Sequence, residues 1–114
     1  MERTKILEVI KEKGIEWTIA AMVEGSIGYH SPKHANSILR DFTNGKTKSY
    51  CERCSACFKE DLDAMLSYDI EIFLLLEERD PDKVQRIINF TKSISELSNE
   101  DQTTIGLAYP TTNI

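Results

Sequence analysis

The sequence predicts an all-α protein, on three observations. Apolar residues recur three and four apart in one segment after another, the spacing that lines one face of a helix. No segment alternates apolar and polar residues with the period of two that marks a half-buried strand. Helix starts and stops are also written into the chain. Ser31-Pro32 and Asp80-Pro81 each set a capping side chain before a proline at the first helical position, Gly45 offers a left-handed stop, and Gly14 is a stop as well.

The first helix is expected over Thr4 to Lys13, with Ile6, Leu7 and Ile10 as its apolar face and Gly14 as its stop. IEWTIAAMVEG follows as a short apolar second helix, in which Ala20 and Ala21 would let another helix approach closely, and Trp17 is a core plug. The two glycines of EGSIGYH mark a loop. The third helix, SPKHANSILRDFTNGK, is the clearest element: Ala35, Ile38, Leu39 and Phe42 share one stripe that must be buried. Ser49 with Glu52 forms a capping box for a fourth helix, and Asp61 caps a short fifth one with Leu62, Met65 and Leu66 facing inward. Ile70 to Glu78 continues as a helix so apolar that it should be buried nearly all round. Asp80-Pro81 opens another, with Val84, Ile87, Ile88, Thr91 and Ile94 on a narrow stripe. Ser98 with Asp101 looks like one more box before a short piece ending near Ala108, and residues 110–114 read as a frayed tail.

At 114 residues and 40% hydrophobic, the chain is large enough for a core and too apolar for a disordered protein. No apolar run approaches the roughly 20 residues that span a bilayer, and MERTKILEVI lacks the build of a secretory leader. A cytoplasmic location without membrane contact is expected. Three cysteines, an odd number, fit reduced thiols better than a disulfide framework.

The net charge of -5 argues against a nucleic-acid partner until it is divided along the chain. Residues 1–59 hold 10 Lys+Arg against 7 Asp+Glu, and residues 60–114 hold 4 against 12, so the halves carry +3 and -8. The basic charge sits beside the third helix, whose polar stripe is Lys33, Asn36, Ser37, Arg40 and Asn44, followed by Lys46 and Lys48. Amide and guanidinium groups can bond base edges, with Arg40 and Asn36 as the expected readers, and Lys33, Lys46 and Lys48 can hold phosphates. From the helix alone, an ordinary solvated face is the simpler reading.

Cys51, Cys54 and Cys57 form C-x2-C-x2-C, with His30 or His34 as a conceivable fourth ligand. A ferredoxin-type run needs a fourth cysteine, and three ligands inside one predicted helix spread over about 120° of it. Small core residues are the better reading, so neither a metal nor another cofactor is expected. No catalytic constellation is present either: the histidines lack an acid partner in a recognisable motif, and there is no nucleophile elbow or phosphate-binding glycine loop.

The order of elements from Ile6 to Leu66 resembles the five-helix, lambda-repressor-like and Cro-like helix-turn-helix domain. The resemblance is carried by KEKGI at the exit of the first helix, by Ala21 and Gly25 in the second, by Leu39, Phe42 and Gly45 in the third, and by CSACFKEDLDAML. Between Gly25 and Leu39 the chain is about eight residues longer than the family's tight turn, and Lys59 and Glu60 replace a glycine and an apolar residue. The loop SIGYH could then set Tyr29 and His30 near phosphate. The resemblance implies a helix-turn-helix domain over 1–67, C-terminal helices over 68–109 that pair subunits, and a sequence-specific regulator of phage or mobile-element repressor type, not an enzyme. It would read the major groove of double-stranded DNA with the helix 32–44. Two-fold pairing is expected through Phe73, Leu76, Val84, Ile87, Ile88, Thr91 and Ile94, whose last helix repeats at three, four and three. Folding of that stripe back onto Ile70 to Leu76 is the other way to cover it. The competing function is a protein-interaction module or inhibitor built on the same scaffold or on the acidic half.

Overall fold

Five helices occupy the described part of the computed structural model, residues 1–25, 32–48 and 61–95. They are α1 (Arg3–Lys13), α2 (Ile15–Gly25), α3 (Pro32–Thr43), α4 (Leu62–Arg79) and α5 (Pro81–Ser95), and no strand occurs among the described residues. The protein is all-α, as its periodicities predict.

Gly14 joins α1 to α2 at φ +95°, a conformation that side chains disfavour, and its amide closes α1 on the Ile10 carbonyl. The chain turns at once into α2, which is the hub of the fold. It packs against all four other helices, with Ala20, Ala21, Met22 and Val23 buried. The two alanines matter here, because small side chains let the neighbouring helix axes come close. Trp17 stands in the first turn of α2 and is buried as expected.

Two buried threonines sit on apolar faces at no cost in unpaired hydroxyls. Thr18 Oγ1 donates to the Gly14 carbonyl and Thr91 Oγ1 to the Ile87 carbonyl, each at 2.8 Å, so both bond back along their own chain. Asp61 caps α4 by accepting from the Asp63 amide at 2.8 Å, and Asp80 caps α5 by accepting from the Lys83 amide at 3.1 Å.

Three expectations are corrected. The short fifth helix and the apolar helix after it are one 18-residue element, α4, since residues 62–79 contain neither glycine nor proline to break them. The Ile72 to Leu76 run is not buried all round: Phe73 is buried, Ile72, Leu74 and Leu76 are half-buried, and Leu75 is 55% exposed. Five consecutive helical positions sweep more than a full turn, so some must face outward. The boundary drawn after residue 67 does not divide the fold, because α4 crosses it unbroken and a single core joins Ile6 to Ile87.

The cap at Ser31, the loop residues Tyr29 and His30, and the helix opened by Ser49 and Glu52 all lie outside the described residues. So do Cys51, Cys54, Cys57, Lys59 and Glu60, the box of Ser98 with Asp101, and the 110–114 tail.

Gly25 closes α2 for a packing reason. A Cβ there would stand 3.0 Å from Asp69 Oδ1 and 3.4 Å from the Asp69 Cα on α4. Alanine normally favours a helix over glycine by roughly 0.5 to 1 kcal/mol. Here the buried Asp69 leaves little room to yield, so Gly25→Ala is expected to destabilise by about 1 to 2 kcal/mol, as overpacking does. A urea melt showing equal or higher stability would mean that α2 and α4 can part at this contact.

Candidate nucleic-acid interface

The amphipathic pattern of α3 is realised in full. Ala35, Ile38, Leu39 and Phe42 are buried against α2 and α5, together with Pro32 at the helix start. With that face anchored, the opposite one is forced outward. Lys33, Ser37, Arg40 and Asn44 are exposed and fall within an arc of about 60° at 3.6 residues per turn. Asn36 stands apart at the edge of this line and is half-buried. Of the two expected base readers, Arg40 is therefore the one that falls within the outward arc.

The end of α3 is fixed by a Schellman motif. Gly45, at φ +91°, donates its amide to the Phe42 carbonyl, and the Lys46 amide donates to the Asp41 carbonyl, both at 3.0 Å. Lys46 and Lys48 follow directly and are exposed, which extends the basic face beyond the helix. Lys46 Nζ lies 3.4 Å from the Asp41 carboxylate. At the surface such a pair is worth roughly 0 to 1 kcal/mol, so it does not bind the ammonium against a stronger anion.

Sequence reasoning missed Arg3. From the first turn of α1 its guanidinium reaches three other parts of the fold. Nη1 donates to the Phe42 carbonyl at 2.8 Å and Nη2 to the Lys46 carbonyl at 2.5 Å. Nε and Nη2 also bond the Asp63 carboxylate on α4, the shortest of these contacts being 2.7 Å, and the guanidinium lies 4.0 Å over the Phe42 ring. The Leu62 amide then donates to the Thr47 carbonyl at 2.8 Å, tying the start of α4 to the same turn.

The residues expected to pair subunits lie mostly in the chain's own core. Phe73, Val84, Ile87, Thr91 and Ile94 are buried, and Leu76 and Ile88 are half-buried against the core. The α5 stripe is covered for the most part by the chain's own α2, α3 and α4, with Ile88 half-buried at its edge. The large apolar side chains exposed on α4 are Tyr68 and Leu75, with Glu71 and Glu78 beside them.

His34 is half-buried on α3. Among the described residues, no group of three or more His, Cys, Asp or Glu side chains could hold a metal ion, and no helix is long and apolar enough to cross a membrane.

No family model matches the chain, and no curated protein or solved structure matches it. The class defined by fold and surface is an all-α domain that presents one anchored helix with a polar and basic outer line.

Proposed function

We propose that the chain is a sequence-specific regulator that binds double-stranded DNA, with α3 reading the major groove. The observation that carries this reading is the outward line of Lys33, Ser37, Arg40 and Asn44 on a helix whose other face is locked into the core. Arg40 is suited to a guanine edge and Asn44 or Asn36 to an adenine edge, while Lys33, Lys46 and Lys48 neutralise phosphates. The role is one of binding, without catalysis or a cofactor, and a phage or mobile-element repressor is the type that the helix order resembles. The -8 of the second half would suppress indiscriminate attachment to DNA, which suits a protein selecting its site. A homodimer gripping two successive turns of the groove would have to pair through surface other than the α5 stripe.

Selection of the purified protein on a randomised duplex library tests the proposal. A defined motif should emerge. On that motif Arg40→Ala should cost about 1 to 3 kcal/mol and relax one base position, whereas Lys46→Ala should weaken all sequences alike and lower the salt slope by about 1. If no sequence is enriched at moderate salt, the proposal fails.

A second reading, a protein-binding module, is favoured by one specific observation. Tyr68 and Leu75 are 60% and 55% exposed on the outer face of α4, beside Glu71 and Glu78. Substituting them should leave DNA selection intact if α3 is the working surface.

A further inference from the structure

We propose that Arg3 is the positioning residue of the basic turn that follows α3. The turn carries Lys46 and Lys48, and something must hold it in one pose for those ammonium groups to meet phosphates at fixed places. Its own Schellman bonds reach only as far as the Lys46 amide. Beyond that point the carbonyls of Lys46 and Thr47 turn inward, the first to Arg3 Nη2 and the second to the Leu62 amide.

Arg3 gathers these groups with a geometry that only a guanidinium supplies. Its planar fork addresses the Phe42 carbonyl, the Lys46 carbonyl and the Asp63 carboxylate at once, while its face rests on the Phe42 ring. A cation at the C-terminal end of α3 also complements the helix dipole. Arg3 is only a quarter exposed, and four of its five N–H donors are committed within the fold, so its main role is internal. What it does is tie the first turn of α1 and the first turn of α4 to the end of the outward helix. The turn's pose thus depends on a residue whose guanidinium is bound mainly to the chain's own carbonyls and carboxylate.

The consequence for DNA rests on the function proposed above, and the test separates the two. Arg3→Lys keeps the charge, and so the electrostatic attraction to DNA, but its donors sit on one atom and lack the planar fork that spans the Phe42, Lys46 and Asp63 acceptors. Asp63→Asn leaves the carbonyl bonds and weakens only the carboxylate arm. Amide exchange and salt-dependent duplex binding are measured on the full chain for both.

In Arg3→Lys, exchange at the Gly45, Lys46 and Leu62 amides should accelerate by about tenfold or more, with a much smaller change at Ala20 to Val23 in α2. Asp63→Asn should accelerate the same amides less. The salt slope of duplex affinity should fall by roughly 1 in Arg3→Lys despite the unchanged charge, with the base preference set by Arg40 retained.

Unchanged exchange at the three amides overturns the proposal, as does acceleration spread evenly into α2, which would mark a general loss of stability. If Arg3→Lys fails to melt cooperatively, Asp63→Asn carries the same comparison. In a chain that binds duplex, an unchanged slope alongside faster exchange overturns it too. If the wild-type chain binds no duplex, the proposed function falls, and the exchange pattern still decides whether Arg3 positions the turn.

Discussion

Ending the chain after Arg79 is expected to abolish cooperative folding rather than release a stable N-terminal domain. α5 lies on α2, α3 and α4, and it buries Val84, Ile87, Thr91 and Ile94 against them. Its removal returns those contacts to water and at the same time uncovers the inner faces of α2 and α3. Three aliphatic side chains at roughly 1.5 to 3 kcal/mol each already amount to about 5 to 9 kcal/mol, comparable with the roughly 5 to 15 kcal/mol that holds a domain of this size together. The truncated chain should keep some helical far-UV signal, lose its sharp thermal transition and bind a hydrophobic dye, while the full chain melts in one step. A truncated chain with a transition within a few degrees of the full-length one would show that α5 is an appendage after all.

In α5, periodicity fixes which face is covered but not what covers it. The spacing of Val84, Ile87, Thr91 and Ile94 says that one face is covered, and it is. The same three-four-three rhythm serves a helix pair within a chain and one between chains, so it cannot name the covering surface. The answer depended on α2, whose alanines leave room for neighbours on every side. The α4 helix shows the converse. Its continuity is readable in the absence of any breaker between Asp61 and Asp80, but a run of five apolar residues carries no phase of its own and so does not say which of them faces outward. Leu75, exposed in the middle of that run, is the result.

For the candidate interface the local part was readable and the long-range part was not. The buried stripe of α3 and the positive φ of Gly45 follow from residues within a single helix and its stop. So does the outward arc of Lys33, Ser37, Arg40 and Asn44, since fixing one face of a helix fixes the other. Arg3 lies 39 residues from Phe42 and 60 from Asp63. No spacing rule spans such distances. The only sequence trace is that the carbonyls at a helix end require donors and that an arginine can supply several at once.

Trp17→Ala should produce the largest loss of stability among single substitutions in the described core. The indole is 4% exposed and meets the Phe73 ring edge-on, with centroids 5.0 Å apart. Its Nε1 donates to Glu77 Oε2 at 3.0 Å, and Glu77 Oε1 in turn accepts from Lys13 Nζ at 2.6 Å. One side chain thus joins the first turn of α2 to α4, beside the last turn of α1. Truncation to alanine removes the ring contacts, leaves a cavity and takes the donor from Glu77, for an expected cost of about 3 to 5 kcal/mol. Trp17→Phe keeps most of the apolar volume and loses the donor, so about 1 to 2 kcal/mol is expected. The gap between the two variants separates packing from the hydrogen bond. Because this is the only tryptophan, its fluorescence disappears with it, and urea melts must be followed by far-UV circular dichroism. The midpoint should fall with little change in slope, the sign of lost stability without a changed native fold. A loss below about 1 kcal/mol for Trp17→Ala would place the residue among ordinary surface substitutions and remove it from the core of this fold.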